Sequence, residues 1–180
     1  MARYAEICQA QDIVPIVEPD ILMGGDHTIE RCAEVTASVL TEQFEQLKNV
    51  NLQNMILKPN MVTAGADCAR QASREDVAAM TLDVLQRCVP PSVAGIAFLS
   101  GGQSSIDATA HLNAMNVAGG LPWPLTFSFN RALQDDALKA WRGKDVNIPA
   151  AQKAFAHRAL MNSLASRGQW SPSLEKQKQR

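Results

Sequence analysis

Residues 55–59 read MILKP: three apolar side chains, a lysine, and a proline that closes the run. So short an apolar run, ending in a charged residue and a turn former, reads as a buried strand with a cation at its carboxyl end. Three further runs have the same form. They are IVPIVE (13–18), GIAFLS (95–100) and PLTFS (124–128), and each ends in a polar residue followed by a turn. Strands that are apolar on both alternating faces belong to parallel sheets covered by other elements.

The intervals between these runs carry helical periodicity. Asp26 is expected to cap a helix whose apolar stripe includes Ile29, Cys32, Val39, Leu40, Phe44 and Leu47. Ser73 is expected to cap a second, with Val77, Met80, Val84, Leu85 and Cys88 inward and Pro90-Pro91 as a stop. Ser104 or Ser105 opens a third, with Ile106, Ala110 and Ala114 on one side; a fourth starts near Arg131 and a fifth near Pro149. Strands alternating with helices define an α/β chain with a parallel sheet. A doubly wound open sheet and a (βα)8 barrel both fit, and the lack of GxGxxG after a strand weakens the dinucleotide-binding form of the first. A (βα)8 barrel takes about 250 residues. On that reading these 180 residues hold four βα units and a C-terminal helix. The division expected is a half-barrel over residues 1–170 and a flexible tail over 171–180, where apolar content is low.

Seventeen basic residues face eighteen acidic ones, leaving a net charge of −1. That balance offers no cationic surface for a nucleic-acid backbone or an anionic membrane, so neither partner is expected. No apolar run approaches the length of a membrane span, and MARYAEICQAQD (1–12) does not read as a secretory signal. Cys8, Cys32, Cys68 and Cys88 form no CxxC pair, and His27, His111 and His157 are scattered. No metal site is therefore expected. Free, buried thiols in the cytoplasm are. The histidines are expected on the surface or on helix faces, and Trp123 in the core.

Active sites of parallel α/β folds lie at the carboxyl ends of the strands. Glu18, Lys58, Ser100 and Ser128 occupy those ends, with Arg131 just beyond. The period of two puts Ile16 and Glu18 on one face and Ile56 and Lys58 on the matching face of the next strand. A lysine at such a position is desolvated, which frees its lone pair to attack a carbonyl. Two readings stand side by side: an imine-forming nucleophile, and a strand-end lysine that reaches solvent or pairs with Glu18. Glu18 is correspondingly a proton-transfer group or a structural ion-pair partner. The turn SGGQS (100–104) leads into a helix, and its amides can attract a phosphate. Asn130-Arg131 adds a second helix start and a guanidinium suited to the same anion.

The motifs VPIVEP (14–19), LKPNMV (57–62), FLSGGQS (98–104), LTFSFNRALQ (125–134) and ALKAW (137–141) resemble class I fructose-bisphosphate aldolase, the metal-independent Schiff-base type. The resemblance runs from about residue 2 to residue 172, with the motifs in the family's order. It implies a (βα)8 TIM barrel and a lyase of glycolysis that reversibly cleaves fructose 1,6-bisphosphate to dihydroxyacetone phosphate and glyceraldehyde 3-phosphate. It further implies that Lys58 forms the imine at substrate C2 and that Glu18 handles protons. Ser100, Gly101 and Arg131 are implied to bind the C1 phosphate, joined by Asn130 where the family has a glycine. No cofactor is implied, and the complete protein is expected to be a cytoplasmic homo-oligomer.

The chain also departs from the family. Phe129-Asn130 stands where Tyr-Gly is common, and Asp20 where Glu often follows Glu-Pro. The motifs correspond to strands five to eight of the family's barrel. Its catalytic aspartate, second site lysine and other phosphate-binding cations have no counterpart in these residues. The alternative expectation is therefore a catalytically incomplete half-barrel, a fragment or an assembly unit.

Overall fold

The computed structural model describes residues 1–176. Helix α1 (Ala2–Gln9) precedes strand β1 (Ile16–Val17). Helix α2 (Ile29–Gln46) then leads to β2 (Ile56–Leu57), α3 (Arg74–Cys88) to β3 (Gly95–Phe98), and α4 (Ser105–Ala118) to β4 (Leu125–Phe127). After β4 come α5 (Arg131–Trp141) and α6 (Ile148–Ala165). The sheet order is β1-β2-β3-β4 with every neighbouring pair parallel. A helix fills each crossover, as parallel pairing requires. These are consecutive βα units of the expected barrel architecture.

The register sorts the strand residues onto two faces. Val17, Leu57, Ile96 and Leu125 lie side by side, as do Phe98 and Phe127 one step further along. Val17, Leu57 and Phe98 are fully buried in one core with Leu40 of α2, Leu85 of α3 and Leu112 of α4. Each such side chain stabilises the fold by about 1.5–3 kcal/mol. The opposite face carries Ile16, Ile56, Gly95, Ala97 and Thr126, and Ile16 is 45% exposed. One face is thus sealed by helices while the other lines an open concave surface. Continuing the register one residue brings Glu18 beside Lys58, whose backbone N–H donates to the Val17 carbonyl at 2.9 Å.

Several local expectations are corrected. Thr28, not Asp26, caps α2 by accepting the Arg31 amide at 3.3 Å. A capping side chain reaches the second or third helical amide, and Asp26 lies too far before Ile29. Ile29, Cys32, Leu40 and Leu47 of α2 are buried as expected, but Thr36 and Gln43 complete the buried line and Val39 does not join it. In α4 Ala110 is buried as expected and Ala114 packs half-buried against the core, but Ala108, Thr109, His111, Leu112 and Met115 are buried as well and Ile106 is 43% exposed. That helix is apolar around most of its circumference, so alanine spacing identifies only part of its buried surface. Only Ile16 and Val17 of the first run pair as strand, because Pro15 has no amide for the ladder and Ile13 turns back to the Cys8 carbonyl. Cys32 is buried, whereas Cys8, Cys68 and Cys88 are half-buried; all four are free thiols. Trp123 packs in the core and donates its indole N–H to the Pro90 carbonyl at 2.9 Å. Ser73 and Ser104 cap α3 and α4.

The segment Ser171–Lys176 is held rather than loose. The Glu175 carboxylate accepts both Arg158 guanidinium nitrogens at 2.8 and 2.9 Å and the Trp170 indole N–H at 2.8 Å. Residues 177–180 of the expected tail lie outside the described residues. Among the described residues, no helix is long and apolar enough to cross a membrane.

Candidate functional site

The loops beyond the four strand ends border an open-sided cleft of about 1300 Å³, and Glu18, Lys58, Ser100, Gly101, Ser128, Asn130 and Arg131, singled out from the sequence, all line it. Lys58 and Glu18 arrive from adjacent parallel strands. The Lys58 ammonium nitrogen lies 3.0 Å from Glu18 Oε1, with the lysine side chain 20% and the glutamate side chain 45% exposed. The ion pair anticipated from the sequence therefore exists, and it stands at the cavity wall with a face open to an incoming molecule. Pro59, buried behind Lys58, ends the strand and fixes the backbone from which the lysine projects.

After β3 the chain turns at Ser100–Gln103, with the Gln103 amide donating to the Ser100 carbonyl at 3.0 Å. Gly101 and Gly102 have φ of +54° and +80°. Two successive positive angles favour glycines, as in a type I′ turn. A Cβ on Gly101 would also come within 3.3 Å of the Met23 side chain. Ser104 then starts α4, accepting the Asp107 amide at 3.1 Å and donating its hydroxyl to the Asp107 carboxylate at 2.7 Å.

After β4, Asn130 occupies the cap position of α5 without a side-chain capping bond. Its φ of −97° is open to any L-residue, so the backbone here does not require glycine. The Asn130 carbonyl accepts the Leu133 and Gln134 amides, both at 3.1 Å. Arg131 is exposed at the first helical position and lines the cavity.

Sequence reasoning missed further groups that line the same cavity. Arg74, at the start of α3, pairs with Asp107 of α4 at 3.0 Å. Burial pushes the Asp107 carboxyl up, but the Ser104 hydroxyl and the Arg74 guanidinium outweigh it and hold the group below the usual carboxylate range. His111 was expected on a surface or helix face. It is instead 8% exposed, lines the cavity, and places Nδ1 at 2.6 Å from Gln103 Oε1. Burial pushes its imidazole down to about 4, against the opposing pull of Asp107. The i+4 step from Asp107 to His111 was the available signal, since it puts both on one side of the helix. Among the described residues, no group of three or more His, Cys, Asp or Glu side chains is placed to hold a metal ion.

All 180 residues match the family model described as fructose-bisphosphate aldolase class-I. The chain is 50% identical over 173 residues to a fructose-bisphosphate aldolase of Dictyostelium discoideum, covering 95% of this chain and 48% of the relative. It is 52% identical over 176 residues to fructose-bisphosphate aldolase B of Gallus gallus, covering 96% and 48%. Among solved structures it superposes with a TM-score of 0.91 on fructose-bisphosphate aldolase from Plasmodium falciparum, determined in complex with TRAP and a small-molecule inhibitor. The identity there is 48%, covering 94% of this chain and 50% of the other. The chain spans about half the length of the curated relatives it matches.

Proposed function

The chain belongs to the class-I fructose-bisphosphate aldolase family, and from that premise we propose that it carries the imine-forming and phosphate-binding part of an aldolase active site. The reaction is the reversible cleavage of fructose 1,6-bisphosphate to dihydroxyacetone phosphate and glyceraldehyde 3-phosphate. The observation that carries this reading is the Lys58–Glu18 contact at 3.0 Å on the wall of a cavity that Ser100, Gly101, Asn130 and Arg131 also line.

In this reading Glu18 takes a proton from the Lys58 ammonium. The freed amine attacks the C2 carbonyl of the open-chain ketose, and water leaves as the imine forms. Breaking C3–C4 sends the bonding pair toward the protonated imine nitrogen, giving an enamine, while the C4 hydroxyl loses its proton and becomes the aldehyde. Protonation at C3 and hydrolysis release the ketone and return the amine. The imine is the electron sink, so Lys58 itself supplies the chemistry. The Ser100–Gly102 turn and the start of α5 offer backbone amides to the C1 phosphate, and Arg131 adds a guanidinium. We read the setting as cytoplasmic, with free thiols, and the completed enzyme as a homo-oligomer that binds neither nucleic acid nor membrane.

A second reading is favoured by the exposed concave face with Ile16 at its edge: taken by itself, this half of a barrel is an incomplete unit. General acid–base groups contribute about 10²–10⁴-fold each, and those expected from strands outside these residues are needed for turnover. The test is borohydride reduction in the presence of dihydroxyacetone phosphate, on this chain and on a version completed with four preceding βα units. The completed version is expected to trap an adduct at Lys58 and to cleave substrate, and its Lys58→Met variant to do neither. Absence of an adduct at Lys58 in the completed version overturns the aldolase reading. Robust cleavage by the 180-residue chain alone overturns the incomplete-unit reading.

A further inference from the structure

We propose that His111, in its Nδ1–H form, is a positioning residue that braces the Ser100–Gln103 turn through Gln103 and so holds the shape that receives a substrate phosphate. The inference rests on reading that turn as a phosphate seat. It adds to that reading a buried histidine that acts on the turn through Gln103.

The turn is intrinsically weak. Gly101 and Gly102 supply the positive φ angles, and adjacent glycines are also the least restrained backbone a chain can have. Gly102 is exposed, and a Cβ there would meet nothing within 4 Å, so packing does little to fix it. What closes the turn is hydrogen bonding. The Ser100 carbonyl accepts the Gln103 backbone amide at 3.0 Å and the Gln103 side-chain Nε2 at 2.9 Å. A carbonyl only accepts, so the amide nitrogen of Gln103 must face Ser100 and its Oε1 must face the ring. Oε1 in turn only accepts, so the proton at the 2.6 Å contact sits on His111 Nδ1.

His111 is anchored in the rigid part of the fold. It lies in the middle of α4, beside Leu112, which is fully buried in the core. A stiff helix therefore holds one end of a two-bond strut whose other end is the carbonyl preceding the glycine pair. Burial keeps the imidazole neutral over the physiological range, so the strut does not change its charge beside an anion. A turn already in its bound shape spares the ordering cost that a free glycine pair would incur on binding.

The sterics of the ring choose the variants. An asparagine amide nitrogen occupies nearly the place of Nδ1, so His111→Asn keeps the donor. His111→Leu removes it, and Gln103→Met removes the middle of the strut at a half-buried position. Two readouts are taken on the full 180-residue chain: exchange of the Gln103 backbone amide by nuclear magnetic resonance, and binding of inorganic phosphate followed at the Ser100–Gln103 amides. His111→Leu and Gln103→Met are expected to speed that exchange and weaken phosphate binding about tenfold, with His111→Asn within about twofold of the parent. Should His111→Leu fail to fold, Gln103→Met carries both measurements. Unchanged exchange and affinity in Gln103→Met overturns the brace, as does equal loss in His111→Leu and His111→Asn. If neither the parent nor Arg131→Ala binds phosphate, the phosphate seat is refuted and the proposal falls with it. If the parent binds and Arg131→Ala does not, the seat stands and the brace is judged by the His111 and Gln103 variants.

Discussion

Moving from pH 8 to pH 5 is expected to cost the fold about 2 kcal/mol through His111 alone. The imidazole titrates at about 4 in the folded protein against an ordinary 6.5. Unfolding therefore takes up a proton that the native state refuses, and stability falls as pH drops through 6.5. The contribution is fully present above that value. It is reduced by about 2 kcal/mol at pH 5 and about 3 kcal/mol at pH 4, where the folded histidine begins to accept its proton and the loss levels off. Asp107 and Glu175 act in the same direction, since both are held below the usual carboxylate range. Their contributions, however, are present above an unfolded value near 4 and are lost only below it, outside the window from pH 8 to pH 5. The assay is urea unfolding of the parent and of His111→Asn at pH 8, 7, 6 and 5, since the asparagine keeps the donor to Gln103 but does not titrate. The other two histidines are common to both proteins and cancel in the difference. The parent should lose about 2 kcal/mol more than the variant by pH 5, with most of the divergence below pH 6.5. Parallel curves would show that the buried site accepts its proton as readily as the unfolded chain does, and the linkage argument would fail.

Glu175→Ala should strip the buried Arg158 guanidinium of its bidentate partner, leaving the Thr109 hydroxyl at 3.2 Å and Asp136 at 3.6 Å. A loss of about 3 kcal/mol and new protease cleavage within residues 171–176 are expected, and a loss within error would make the clasp ornamental. Gly101→Ala, at φ +54° and against Met23, should lower stability by about 1–2 kcal/mol by thermal melting, whereas Gly24→Ala, in open space with no φ constraint, should be near neutral. Gln43→Leu is expected to raise stability by about 1 kcal/mol in urea, because both side-chain polar atoms of Gln43 are buried without a hydrogen-bond partner among the described residues. A destabilised variant would mean that the amide is satisfied in solution.

What the sequence made legible follows from where chemistry and pattern coincide. The strand order and the gathering of Glu18, Lys58, Ser100 and Arg131 could be read because each apolar run stops at a polar residue, and parallel strands align those stops along one edge. The Gly101-Gly102 turn was legible because glycine adopts two successive positive φ angles without strain. The buried surface of α4 was legible only at Ala110 and Ala114, since apolar residues surround most of that helix and tertiary packing leaves Ile106 outside. Thr28 was not legible, because Asp26 offers equally good capping chemistry and the helix start moves by a turn's fraction. Glu175 stood in a polar stretch that composition reads as solvated. Its partner Arg158 lies 17 residues earlier on α6, a separation no local pattern connects.

The groups that were missed line the same cavity as the groups that were found, but they are engaged with neighbouring protein groups. Lys58, Glu18 and Arg131 face the cavity at strand ends or helix starts, where exposed charge is the signal a sequence carries. His111, Gln103, Asp107 and Arg74 act on the backbone and on each other, through contacts of 2.6–3.0 Å that run from the Gln103–Ser100 bond within the turn to the Arg74–Asp107 pair between α3 and α4. Arg74 ties the start of α3 to the start of α4 through Asp107. Ser104 fixes that same carboxylate. One helical turn further on, His111 reaches back to the glycine turn. Together these contacts fasten two βα loops to their helices at the rim of the cavity. A site of this kind needs its anion-binding amides fixed more than it needs additional charge, because a turn that wanders by an ångström no longer presents its amides together. The motif SGGQS thus carries two kinds of information. Its serine and glycines shape the seat, and its glutamine records where the helix behind must take hold.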